Sequence, residues 1–296
     1  MRVAVCQLDL AVGDLQGNRA SGVQAIVAAA ESGADLVLLP ELSDSGYVFS
    51  SLAEARSCAS PSRGNPTLGE WHDLASQHDL AIIGGFCELG EDGKLYNSAA
   101  CVDPTGVRLI YRKMHLWDHE SEFFSVGSRL SPICELMGAK VAVAICYDLE
   151  FPELVRLLAL QGVELLAVPT NWPATVTPTD EHPIELIKAQ ASAATNGIWI
   201  AIADRGMTER GVDWTGCSTV IAPDGYPVIT PLSAEQTGIA VTDIEPSRAS
   251  DKSVTARNDL IRDRREDVYR VVVQVDPPQP NGFNCETTLE SFLDQR

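Results

Sequence analysis

Short strand-like runs recur along most of the chain: RVAVCQL (2–8), DLVLLP (35–40), LAIIGGFCE (80–88), YNSAACVD (96–103) and VRLIYRK (107–113). They continue at AKVAVAIC (139–146), ELLAVPT (164–170), GIWIAIAD (197–204), CSTVIAP (217–223) and GIAVTDI (238–244). Helical spacing of apolar residues fills several gaps, at 18–32 (Val23, Ile26, Val27), 67–79 (Leu68, Trp71, Leu74), 152–161 (Leu154, Leu157, Leu158) and 181–195. Strands interleaved with helices point to an α/β class. Two turns, DPTG (103–106) and APDG (222–225), sit between strands. Hairpins therefore join some neighbours, and the sheets are expected to be mixed rather than purely parallel. No repeat, low-complexity tract or linker interrupts the 296 residues, so 1–296 reads as a single domain. From about residue 246 the chain turns charged and irregular, an extension expected to wrap the body or a neighbouring subunit.

Charge narrows the partners. With 41 acidic and 22 basic residues the net charge is −19, which repels phosphate backbones and anionic membrane surfaces, so no nucleic acid and no membrane is expected. The amino terminus meets Asp9 and Asp14 before any long apolar stretch. It reads as neither signal nor anchor, and a cytoplasmic protein is expected. The eight cysteines are scattered without CxxC pairs, which argues against disulfides and a zinc ribbon. His115 and His119 lie four apart, but no third ligand follows at metal-site spacing, so no metal and no cofactor is expected.

Three strand exits carry chemistry. LVLLPE drives a strand into Pro40 and presents Glu41; VRLIYRK ends in Arg112 and Lys113; AVAIC ends in Cys146, just before a helix opening at Phe151–Pro152. Alone, an acid or a cation at such a place is most often solvated, and an isolated cysteine is either a small buried hydrophobe or a nucleophile. At the amino end of a helix, in a partly exposed elbow, Cys146 is expected to favour the thiolate. Together the three complement each other: a thiol that attacks a carbonyl or nitrile carbon, a carboxylate that relays its proton, and an ammonium that stabilises the oxyanion. The backbone N–H of Tyr147 is the expected second oxyanion donor.

In this order, LLPELSDSGY, YRKMHLW and ICYDLEFPE resemble the three catalytic signatures of the nitrilase superfamily of carbon–nitrogen hydrolases, over about residues 1–245. The resemblance implies a catalytic triad of Glu41, Lys113 and Cys146 on a four-layer αββα sandwich with two mixed β-sheets. It also implies a homodimer or higher homo-oligomer joined through the helical layers, and hydrolysis through a thioester. ESEFFSVG resembles a further family pattern, E-x-x-x-F-x-P-G, with Val126 in place of proline. Glu120 is then the acid expected beside Lys113, with Glu122 as a competitor. ASAATN departs from the family's R-A-x-E-N at Ser192 and Thr195 and keeps Asn196, so the ion pair common there is not expected.

Within the superfamily, Tyr147–Asp148 after the cysteine resembles the amidase and carbamoylase branches, where true nitrilases typically carry Trp–Glu. Glu150 stands where omega-amidase-like members often carry arginine, and an acid there disfavours a dicarboxylic mono-amide. The expected reaction is hydrolysis of a small-molecule aliphatic amide, neutral or amino-substituted, to carboxylate and ammonia. N-carbamoyl hydrolysis, an omega-amidase, a nitrilase and a non-catalytic binding member are the alternatives. Tyr147, Glu150, Trp117, Asn171 and Trp172 are the expected substrate-binding residues, with Phe124 as a further apolar wall and Glu150 as a reader of a substrate amine.

Overall fold

The computed structural model describes residues 1–272, in which Met1–Leu260 form one compact unit and a second begins at Ile261. Two sheets organise the first unit. One contains β1 (Arg2–Gln7), β2 (Leu36–Leu38), β3 (Ala81–Leu89), β4 (Leu95–Asp103), β5 (Gly106–Arg112) and the late strand β13 (Gly238–Asp243), in the order β13-β1-β2-β3-β4-β5. The other contains β6 (Cys134–Leu136), β7 (Ala139–Val143), β8 (Leu165–Pro169), β9 (Trp199–Ala203) and β12 (Thr219–Ile221), in the order β12-β9-β8-β7-β6. A small hairpin pairs β10 (Thr208–Glu209) with β11 (Val212–Asp213). Both sheets are mixed: β1-β2-β3 and β7-β8-β9 run parallel, and hairpins or late strands add antiparallel neighbours on either side.

The helices are α1 (Leu15–Glu31), α2 (Leu52–Cys58), α3 (Pro66–His78), α4 (Glu120–Phe123), α5 (Pro152–Leu160), α6 (Ile184–Asn196) and, in the second unit, α7 (Glu266–Val272). The alternation of side chains along each strand explains the layering. Val3, Val5, Leu36, Leu38, Ala81 and Ile83 face the second sheet, while Ala4, Cys6, Val37, Leu39 and Ile82 pack with α1 and α3. The second sheet buries its other face under α5 and α6 through Leu154, Leu158, Leu186 and Ala189. The result is the four-layer αββα sandwich. Strands buried on both faces need unbroken apolar sequence, which is what AVAI and LLAV supply.

One expectation is corrected, and one element is new. APDG does turn back, with Gly225 at φ 90°, but the returning segment forms only an isolated bridge from Ile221 to Pro227, because proline cannot donate to a ladder. β12 and β13, adjacent in sequence, lie in different sheets. Finally, α2 lies where no helix was expected, although Ser51 caps it by accepting from the Glu54 N–H at 3.2 Å while Glu54 reaches back to Ser50.

Of the expected wrapping segment 246–296, residues 273–296 lie outside the described residues. Its first part packs onto the end of α6, where Gly197 takes the left-handed cap at φ 58° and Lys252 donates to the carbonyls of Asn196 and Gly197 at 3.1 and 2.8 Å. Among the described residues no helix is long and apolar enough to cross a membrane.

Candidate active site

Parallel strands of both sheets end on the same side, and their exits deliver the three chemical residues. Beyond β2, Pro40 and Glu41 lead into a tight turn with Leu42 at φ 47°. The turn sits directly on β3, where a Cβ on Gly85 would lie 2.3 Å from Leu42 N and 2.6 Å from Glu41 Cα. Only glycine permits that approach, and it bonds the turn twice: Gly85 N–H to Pro40 O and Ser43 N–H to Gly85 O, both 2.9 Å. Beyond β5, alternation sends Arg112 outward to a paired contact with Glu88 at 2.8 Å and Lys113 inward. Gly127 donates to Lys113 O at 2.7 Å, and a Cβ there would meet Arg112 O at 2.1 Å. Beyond β7, Cys146 takes φ 49°, a strained left-handed corner for a non-glycine residue.

The three side chains converge in the buried interior. Glu41, Lys113, Cys146 and Glu120 are each at most 4% exposed. The Lys113 ammonium donates to Glu41 Oε1 and Glu120 Oε1, both at 2.7 Å. Asn97 Nδ2 adds a third contact, to Glu41 Oε1 at 2.6 Å, and leaves Glu41 Oε2 buried without a partner. Glu120 is held by the Tyr47 hydroxyl at 2.5 Å and the Trp117 N–H at 3.1 Å. Glu122, the competing acid, instead contacts exposed His119 at 2.6 Å.

Electrostatics follow from burial. Loss of water pushes the Glu41 carboxyl up to about 7; Lys113 pulls it down and Glu120 pushes it up further. Burial opposes the charge on Lys113, but Glu120 and Glu41 outweigh it and hold the ammonium well above its ordinary range. Burial also drives the Cys146 thiol well above its ordinary value, with Glu41 adding and Lys113 opposing. That corrects the expected partly exposed thiolate: residues 146–150 form a short 3-10 turn, α5 opens only at Pro152, and burial outweighs any helix-end effect.

Residues 2–252 match the carbon-nitrogen hydrolase family. The chain belongs to that family. It is 33% identical over 269 residues to a protein named nitrilase from Pyrococcus abyssi, covering 91% of this chain and 99% of the relative. It is 31% identical to an (R)-stereoselective amidase from Pseudomonas sp., over 90% and 92% of the two chains. A solved variant of the amidase from Nesterenkonia sp. AN1, with acrylamide added at its active-site cysteine, superposes with a TM-score of 0.75 at 28% identity, over 92% and 99% of the chains. This carbon-nitrogen hydrolase is thus an amidase-like enzyme of the nitrilase superfamily, acting on carbon–nitrogen bonds other than peptide bonds.

A cavity of about 60 Å³ is lined by Cys146, Tyr147, Glu150, Trp117, Trp172 and Glu185, with Pro173 and Thr175. Through Trp117 and Pro173 it adjoins a broader cleft of about 530 Å³ bordered by Tyr47, Phe49, Phe124 and Trp214. Asn171, expected to contact substrate, lies outside the cavity lining; it is fully buried and donates to the Glu41 carbonyl at 2.9 Å, tying two strand exits together. Glu150 does line the cavity, but its carboxylate is paired with Lys188, which leaves it poorly suited to read an amine.

Three supporting residues of the hydrolase escaped the sequence reading. Asp148 is fully buried and accepts four bonds: from the Ile145 N–H, the Tyr111 hydroxyl, the His115 N–H and His115 Nδ1, at 3.1, 2.8, 2.9 and 2.7 Å. It fixes the elbow around Cys146 and gives His115, stacked on Phe151 at 3.6 Å, a structural place. Asn97 and Tyr47 are the others. A lone asparagine inside apolar β4 was a visible sign of a buried polar partner; Tyr47 gave none.

Proposed function

We propose that this hydrolase is a cysteine-dependent amidase that converts a small aliphatic amide, neutral or amino-substituted, to carboxylate and ammonia. One observation carries the reading. Glu41 has one oxygen anchored by Lys113 and Asn97 and the other buried without a partner, and its charge adds to the burial that pushes the Cys146 thiol up. Such a carboxylate is built to take a proton and return it.

In the proposed sequence, Cys146 Sγ forms a bond to the amide carbon while its proton passes to Glu41. The carbonyl electrons move onto oxygen, where the Lys113 ammonium and the Tyr147 N–H stabilise them. The Tyr147 N–H stands in the first turn of a 3-10 helix, so it has no acceptor within that helix. Glu41 then gives the proton to the departing nitrogen, the C–N bond breaks, and ammonia leaves a thioester. Water attacks the thioester as Glu41 takes one of its protons; the C–S bond breaks, carboxylic acid departs, and Glu41 returns the proton to sulfur. Glu120 keeps Lys113 charged and aimed. The small cavity at Cys146 favours a short acyl chain, and Tyr147–Asp148 after the nucleophile favours amide over nitrile.

We also infer a homodimer formed through the helical layer of the second sheet. Leu157, Leu160, Ile184 and Ile187 of α5 and α6 stay 38–48% exposed there.

Ammonia release from amides, amino-amides, N-carbamoyl amino acids and nitriles, run beside C146A, tests the function. Release from amides that disappears in C146A is the expected result. Carbon dioxide accompanying the ammonia would move the assignment to carbamoyl hydrolysis, and turnover of nitriles alone would overturn it.

A further inference from the structure

The cavity at Cys146 contains two carboxylates in different electrostatic states. Glu150 carries the Lys188 ammonium on Oε2. Glu185, in the first turn of α6, has its Oε2 shielded from solvent and accepting no hydrogen bond. Burial pushes its carboxyl above the ordinary value, its own backbone N–H and Lys188 pull it back, and Glu150 pushes it up again. Lys188, three residues further along α6, is already engaged by Glu150 and does not hydrogen-bond Glu185. A carboxylate oxygen shielded from water without a hydrogen bond is under-stabilised, and a cation entering the cavity can donate to it.

Aromatic side chains form much of the rest of the cavity wall. Trp172 is only 2% exposed, lines the cavity, and has its indole N–H buried without an acceptor. Trp117 and Tyr147, edge to face at 4.9 Å, supply the aromatic wall. Aromatic faces beside a carboxylate suit an ammonium group on a short aliphatic stem, while the Trp172 N–H, a donor, suits an acceptor oxygen of the substrate rather than the ammonium.

We propose that Glu185 is the specificity residue that selects amides carrying an ammonium group on the acyl chain, and that Glu150 serves to hold Lys188 away from it. This rests on the amidase reading and narrows it to ω-amino amides. Within the pocket, the reacting amide lies at Cys146 and the ammonium at Glu185, so a single chain length should fit best.

The test is kcat and KM for ω-amino amides from glycinamide to 6-aminohexanamide, each paired with its neutral counterpart, in the wild type, E185Q and E150Q. In the wild type, one amino-amide should exceed its neutral match in kcat/KM by about tenfold or more, the scale of a charge-assisted hydrogen bond. E185Q should remove that preference by raising KM for the amino-amide about tenfold more than for its match, and E150Q, which frees Lys188 to pair with Glu185, should lower it as well. A wild type that hydrolyses both classes equally, or an E185Q variant that keeps the preference, overturns the role of Glu185 and leaves the amidase reading intact. Ammonia from neither class overturns the amidase reading and this inference with it.

Discussion

Glu120 Oε1 lies 2.7 Å from Lys113 Nζ, on the same ammonium that Glu41 Oε1 contacts at 2.7 Å, so one buried cation is shared between two buried carboxylates. The charge of Glu120 raises the proton affinity of Glu41 and of Cys146 as well as that of Lys113. In E120Q the amide keeps a hydrogen-bond acceptor for Lys113 and loses the charge. We expect kcat to fall by about 100-fold or more. The acid limb of kcat/KM should move to lower pH, because Glu41 then feels Lys113 without a competing anion. An unshifted limb would limit Glu120 to a packing role.

Glu41 links stability and activity with opposite signs. Its carboxyl is raised in the folded protein from 4.5 to about 7, chiefly by burial. The folded state therefore binds this proton more tightly than the unfolded state does. Its contribution to stability is complete below the ordinary carboxylate range and is lost as pH rises through about 7. Catalysis needs the unprotonated base, so kcat/KM should rise over that same interval. Urea denaturation at pH 5 and pH 8, set beside the pH profile, checks both signs; an acid limb near pH 4 would show that Glu41 is not the titrating base.

Asp148 is expected to matter for folding as much as for rate. Its four hydrogen bonds join β5, the His115 segment and the Cys146 elbow. D148A would leave several buried donors unmet, at about 1–3 kcal/mol each, so a total loss of roughly 3 kcal/mol or more follows. Tm should drop by about 6 °C or more on the scale usual for domains of this size. The conservative D148N should recover part of it, since one oxygen remains to accept. A D148A variant with unchanged Tm would mean that the elbow is held by its packing alone.

The proposed dimer face can be tested without touching the cavity. Leu157 is 46% exposed on α5 and Ile187 39% exposed on α6. Charges at both positions, L157E with I187E, should shift the sedimentation coefficient from dimer to monomer, because an apolar contact cannot bury two unpaired carboxylates. Sedimentation unchanged from the wild type would place the interface elsewhere.

Much of the fold was legible because it rests on local patterns. The apolar runs marked ten of the thirteen strands among the described residues, and the spacing of Leu68, Trp71 and Leu74 marked α3, since alternation and helical period are properties of neighbouring residues. The small elements were harder. β6, β10 and β11 have three, two and two residues and lie outside the long apolar runs that marked β2 and β12, and α2 has seven, too few for a helical period to show, although Ser51 and Glu54 did carry a capping signal. Cys146, Lys113 and Glu41 stood out at strand exits because polar residues there interrupt apolar runs.

What the sequence alone determined is the identity and order of the reactive groups and the alternation that builds two sheets with helices outside. What only the tertiary structure decided is their state. Burial pushed the Cys146 thiol up where a helix end suggested a thiolate, selected Glu120 over Glu122, turned Asn171 from the cavity toward the Glu41 carbonyl, and paired Glu150 with Lys188 while leaving Glu185 Oε2 without a hydrogen bond. These outcomes depend on contacts between residues far apart in the chain and on the exclusion of water between them. Neither is written in the local pattern from which a sequence is read.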